Sequence, residues 1–226
     1  MTIIIAIRSD VICPWCWIGK RRLEQALAAL PDLSVHITWH PFQLNPDLPQ
    51  DGLPRAEYRA KKFGSAAYAQ ALDARVSAVA ATVGLAFDLA AQTRTPHTLL
   101  AHRLIWFAAG QGMQDAVVEA LFSAYFTAGM DVGDPLLLSR VAASTGLDQS
   151  ALERFLASQE GEEEVLASCR AARAEATEGV PLFIIGGHER ISGAQPVETF
   201  IAVLSQASGI IPPDAADDCT DGICRN

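Results

Sequence analysis

Basic residues are scarce in this chain. Seventeen lysines and arginines stand against 26 aspartates and glutamates, a formal charge of −9. Such a surface repels phosphate backbones and anionic bilayers, so neither nucleic acid nor a membrane is expected as a partner. Long apolar runs are missing too. No span approaches the roughly 18 residues that a membrane helix needs. The first residues hold neither a basic segment nor a small-residue cleavage site, so no secretion signal is expected. Cysteine is sparse, with five in 226 residues. That is too few for a disulfide scaffold, and in a cytosolic chain such cysteines serve catalysis or metal binding. A cytoplasmic protein is the expectation.

What the chain does have is apolar material, half of its residues, enough for a sizeable core in one domain or two small ones. Its most informative stretch is Cys13-Pro14-Trp15-Cys16. An apolar run, Ile3 to Ile7, precedes it and predicts a buried strand from Thr2 to Arg8. A helical pattern follows, roughly Cys16 to Leu30, with Ile18, Leu23 and Leu27 inside and Lys20, Arg21 and Arg22 mostly outside. Cys13 would then sit at a strand-to-helix turn. The unpaired N–H groups and positive dipole end of the helix favour a thiolate there. Cys16 lies one turn on, close enough to close a disulfide. An attacking thiolate with a second thiol to release the product makes a redox pair that calls for no cofactor. A structural zinc site or two ordinary buried cysteines are the competing readings, and the strand-to-helix context favours redox. Pro14 suits the first helical position.

Asp10 to Lys20, the stretch carrying this motif, resembles the opening of cytosolic DsbA-like oxidoreductases of the FrnE type. Gly179-Val180-Pro181-Leu182-Phe183, with Ile191 to Pro196, resembles that family's closing motif. The resemblance implies an α/β protein, a thioredoxin fold with an inserted all-helical domain, and thiol–disulfide exchange on disulfide- or thiol-containing proteins. It implies a cis Val180–Pro181 bond beside Cys13, with Val180 and Pro181 positioning substrate. Trp15 becomes the tuning residue: its indole offers one neutral N–H where a histidine could charge-stabilise the thiolate. A less oxidising pair than in histidine-bearing members is therefore expected.

Val35 to Trp39 alternates and predicts a second strand, parallel to the first through a right-handed crossover. Prolines between Pro41 and Pro54, with Asp51-Gly52, mark a boundary. From Arg55 to Glu178 the pattern is helical, broken by glycine and proline into six or seven helices. Asp134-Pro135 and Asp148 have the form of helix starts. Thr98 to Arg103 resembles the family's helix facing the active-site cleft, although His97 stands where the family has Asn. His40, His97 and His102 are expected as structural histidines, and Phe42 and Cys169 as core. Leu182 to Ile185 and His188 to Ser192 form a hairpin across Gly186-Gly187, and Pro196 opens a last helix. The expected units are residues 1–50 and 165–211 for the thioredoxin part, 51–164 for the insertion, and 212–226 for a tail.

In that tail Asp221-Gly222 makes a turn between Cys219 and Cys224. The two cysteines are a candidate second redox pair, and about ten residues from Gly209 to Cys219 could span up to roughly 33 Å, enough to reach Cys13. Isomerase activity is a further expectation. Two other functions compete. One is a glutathione-dependent small-molecule isomerase or transferase of related fold, against which the intact cysteine pair argues. The other is a metal-binding module with Cys13, Cys16, Cys219 and Cys224 as thiolate ligands. The favoured reading places no metal.

Overall fold

The computed structural model describes residues 2–175 and 179–209. Strand β1 (Ile3–Ser9) buries Ile3, Ile5 and Ile7 and turns Ile4 outward, as β-branched residues at alternate positions of a half-buried strand should. Helix α1 (Pro14–Ala28) carries the chain to β2 (Val35–Pro41), which pairs parallel to β1 from Ile3–Val35 to Ser9–Pro41. The helix begins at Pro14, earlier than the expected Cys16. Proline has no N–H to lose at the first helical position and its fixed φ is already helical.

Next comes β3 (Leu53–Pro54), then α2 (Arg55–Phe63), α3 (Ala66–Ala81) and β4 (Arg94–Thr95). The short antiparallel β3–β4 ladder was not foreseen, since two-residue strands leave no periodicity to read. The helices α4 (Leu99–Ala109), α5 (Gln114–Phe126), α6 (Pro135–Ala143), α7 (Gln149–Ala157) and α8 (Glu162–Glu175) follow. Asp134 and Asp148 cap α6 and α7, accepting from the N–H of Leu136 at 2.8 Å and of Ala151 at 2.7 Å. A division of the chain after residue 164 would cut α8.

β5 (Leu182–Ile185) then returns to the sheet antiparallel to β1, and β6 (Glu189–Ser192) pairs antiparallel to β5. The strand order is β2-β1-β5-β6. Helix α9 (Val197–Ser208) packs against α1. The chain thus starts the sheet, leaves it for α2 to α8, and comes back to finish it.

Two contacts tie α1 to the helical block. Trp17 stacks on Phe87, Phe122 and Phe126 with ring centroids 5.6, 6.0 and 6.0 Å away. Glu119 of α5 accepts from the Trp17 indole at 3.2 Å and pairs with Lys20 at 3.2 Å and with Arg21. Lys20 was expected outside but is 4 % exposed. Burial alone would push its ammonium down, but hydrogen bonding to Glu24 and the charges of Asp115, Glu24 and Glu119 more than offset this and hold it above its ordinary value. An ammonium ringed by three carboxylates can be buried where a lone one cannot.

Candidate active site

Cys13 is the residue that caps α1. Its backbone is extended, with φ −92° and ψ 111°, while its carbonyl already accepts the Cys16 N–H at 3.0 Å. Its own N–H donates to the Asp10 carbonyl at 3.0 Å, closing a tight turn out of β1. No side chain caps this helix and no acidic residue stands in its first turn. Cys13 therefore stands at the positive end of α1, with no carboxylate in the first turn of that helix.

Both Cys13 and Cys16 are buried free thiols. Cys16 is fully enclosed, and burial pushes its thiol well up. The neighbouring Cys13 adds to this, while the Ser9 side chain and the Asp10 backbone oppose it. Cys16 therefore holds its proton at neutral pH. Trp15 lies 38 % exposed at the rim between the two.

The sheet brings the second half of the site. The Cys13 thiol donates to the Val180 carbonyl at 3.5 Å, and the Val180–Pro181 peptide bond is cis. Gly19 makes this approach close. A Cβ there would meet the Phe183 ring at 2.9 Å and Pro181 Cγ at 3.2 Å, so a bare glycine lets α1 lie against the Pro181 turn. Sequence reasoning passed over Gly19, because nothing near it in the chain shows what it faces.

Behind the cysteines, Asp10 is wholly buried. Its carboxylate accepts from the N–H of Leu44 at 2.7 Å and of Ile12 at 3.4 Å, and lies 3.4 Å from His102 Nε2. His102 also reaches the Phe42 carbonyl at 3.2 Å. His97 Nε2 lies 3.4 Å from the Pro46 carbonyl and His40 Nε2 3.1 Å from the Thr38 hydroxyl. Phe42 and Cys169 are in the core, and burial pushes the Cys169 thiol up to about 12.

In front of Cys13 opens a cleft of about 590 Å³. Cys13, Trp15 and Val180 form one wall; α2 and α3 form the other, presenting Arg55, Arg59, Lys62 and Arg75. Thr98 to Arg103 was expected to face this cleft and does not line it. That segment of α4 is turned inward instead, where His102 meets Asp10 and Arg103 donates to the carbonyls of Ser158 and Glu160 at 2.8 and 2.9 Å. The cationic wall was missed, although four of so few basic residues fall within 21 positions of one another. Cys219 and Cys224 lie outside the described residues. Their proximity to Cys13, and the four-thiolate metal reading that needs them, have no geometry here.

The pattern of the DSBA-like thioredoxin domain family matches residues 4–205. YwbO of Bacillus subtilis (strain 168), an uncharacterized protein, is 26 % identical over 206 residues, spanning 91 % of this chain and 97 % of that protein. The crystal structure of a probable DsbA oxidoreductase, SCO1869 from Streptomyces coelicolor, superposes with a TM-score of 0.84 at 34 % identity, covering 93 % of this chain and 92 % of that one. The cytosolic disulfide reductase DsbM from Pseudomonas aeruginosa shares the fold, with a TM-score of 0.63 at 16 % identity over 92 % of this chain and all of that one.

Proposed function

The chain belongs to the DSBA-like thioredoxin domain family, and from that membership we propose that it is a protein thiol–disulfide oxidoreductase worked by Cys13 and Cys16. The observation that carries the reading is the placement of Cys13, at an open helix N-terminus, 3.5 Å from the Val180 carbonyl and one turn from a protonated Cys16.

In the reducing direction, the Cys13 thiolate attacks one sulfur of a substrate disulfide. A mixed disulfide forms and the other substrate sulfur leaves as a thiolate. Cys16 then loses its proton and attacks the Cys13 sulfur. The second substrate sulfur departs as a thiol, and two electrons have passed from the protein dithiol to the substrate. The reverse sequence oxidises a dithiol, and attack followed by reshuffling isomerises. Val180 and Pro181 position the substrate sulfur, and Pro14 and Trp15 shape the rim. Cys219 and Cys224 remain the proposed second pair: as a dithiol they would pass two electrons to oxidised Cys13–Cys16 by the same exchange, become a disulfide themselves, and be reduced again by an external thiol. Protein disulfides and thiols are the proposed partners, in the cytoplasm, where so few cysteines suit catalysis.

The test is insulin-disulfide reduction by the native protein and by Cys13→Ser. A serine hydroxyl cannot replace the thiolate near neutral pH, so the variant should be inactive. Undiminished activity would end this reading.

A further inference from the structure

Four cations, Arg55, Arg59, Lys62 and Arg75, line the cleft beside Cys13, against one carboxylate, Asp73. In a chain of net charge −9 this is a local reversal of sign. Two of the cations are held in place. Arg55 donates to Gln92 at 2.9 Å and to Asp73 at 2.8 Å; Arg59 donates to the Ala69 carbonyl at 2.7 Å and to the same Asp73. One carboxylate is thus shared between two guanidiniums. Arg75 and Lys62 have no carboxylate partner among the described residues.

Two donors inside this wall also lack acceptors. Lys62 donates to the Tyr58 hydroxyl at 2.6 Å, so that hydroxyl spends its own hydrogen on Asn45, whose oxygen accepts at 2.7 Å. This relay fixes the Asn45 amide and turns its NH₂ away from Tyr58. Asn45 Nδ2 and Arg59 Nε are both buried with no partner. Both atoms are enclosed, so they show that the wall is short of acceptors and are not themselves contacts for an occupant of the cleft. Burial and nearby Arg55 pull the Arg59 guanidinium below its ordinary value despite Asp73, as expected where positive charge is under-compensated.

We propose that the α2–α3 wall is an anion subsite that seats a carboxylate flanking the substrate disulfide, so that the protein selects acidic disulfides. Calling the occupant a substrate rests on the thiol–disulfide reading; the binding itself does not. The floor of Leu72, Val76 and Phe126 takes the apolar part of the occupant while the rim reads its charge, in a cleft of ligand-sized volume. A carboxylate here meets the guanidiniums of Arg55 and Arg59, with Lys62 and Arg75 beside them, in a concave site where fields are focused and water is reduced.

The experiment uses the full chain and disulfide-bonded peptides of equal length whose cysteines are flanked by Asp, Asn or Lys. With dithiothreitol as the terminal reductant and its uncatalysed rate subtracted, reductive turnover should follow Asp over Asn over Lys. An advantage of about tenfold in kcat/KM for Asp over Asn is expected, residing in KM and shrinking as salt rises. Arg75→Gln with Lys62→Gln, both on exposed positions, should narrow the ratio. The same peptides with serine for cysteine, titrated by tryptophan fluorescence, should bind in the same order. Glutathione disulfide, a small carboxylate-bearing disulfide, forms a further arm. Salt-sensitive cleavage that competes with the Asp peptide assigns the carboxylate to a small molecule, and cleavage of the peptide alone assigns it to a protein segment. Either supports the subsite. Equal binding and turnover for all three flanks, or a ratio untouched by the double variant, overturns it. Ordered binding of the serine peptides with no reduction of any disulfide would keep the subsite and remove the oxidoreductase reading.

Discussion

The thiol of Cys13 and the carbonyl oxygen of Val180 meet at 3.5 Å although 167 positions separate them in the chain. The sheet register is the cause. Arg8 on β1 stands opposite Leu182 on β5, so the turn that leaves β1 and the turn that enters β5 fall at the same end of the sheet. The eight helices, α1 to α8, that lie between the two strands in the chain do not disturb this, because hydrogen bonding between β1 and β5 specifies the pairing.

Cys16→Ser is expected to leave attack by Cys13 intact and to trap mixed disulfides, because the resolving thiol is gone. Non-reducing gels of lysate should show adducts that dithiothreitol removes. If no adduct forms while Cys13 is alkylated readily, some other group resolves the intermediate.

Glu119→Gln should loosen the tie between α5 and α1. The substitution preserves shape but removes a charge beside Lys20 and Arg21. Losing one partner of a buried pair costs about 3–5 kcal/mol. Glu119 retains 31 % of its side-chain exposure and Glu24 and Asp115 remain near Lys20, so a loss of roughly 1–3 kcal/mol is expected. Urea denaturation followed by Trp fluorescence measures it. A midpoint equal to that of the native chain would mean the remaining carboxylates suffice.

The parts of this protein that were legible in its sequence are those set by neighbours in the chain. A continuous apolar run marked Ile3 to Ile7 as a strand, although it suggested full burial where Ile4 in fact faces outward; proline and aspartate marked the starts of α6 and α7, and the spacing of Cys13 and Cys16 placed them one turn apart. Lys20 was misjudged because two of its three carboxylates, Asp115 and Glu119, come from a helix about a hundred positions away. The inward turn of α4 was equally hidden, since the Asp10 that His102 meets belongs to the end of β1. The cationic wall exists only once α2 and α3 fold back over Cys13. Charge clustering in the sequence hinted at it, but the face it occupies depends on tertiary packing.

The tail offers a separate test. Replacing both Cys219 and Cys224 with serine should lower steady-state turnover while single-turnover attack by Cys13 persists, because the proposed pair would act only in regenerating the catalytic dithiol. Stopped-flow kinetics separates the two phases. Equal turnover in both proteins would make these cysteines bystanders.

Stability should fall on the alkaline side, and the sign follows from the buried acids. Burial pushes Cys16 well above its ordinary value of 9.0, lifts Cys169 from 9.0 to about 12, and raises Tyr125 above its ordinary 10.0. Lys20 is also held above its ordinary 10.5, through Glu24, Asp115 and Glu119. Each group keeps its proton longer in the folded state than in the unfolded one. The unfolded chain therefore binds fewer protons above pH 9, and stability declines as pH rises. Below that pH all four are protonated in both states and contribute no slope. The urea midpoint should be level from pH 7 to about 8.5, then drop steadily from about 9 toward 12 as the unfolded thiols, then Tyr125 and Lys20, ionise. Cys16→Ser and Cys169→Ala should each make the decline shallower, since each removes one group that favours the unfolded state at high pH. A midpoint that stays level to pH 11, or a decline that neither substitution changes, would show that these thiols ionise in the folded protein as freely as in the unfolded chain.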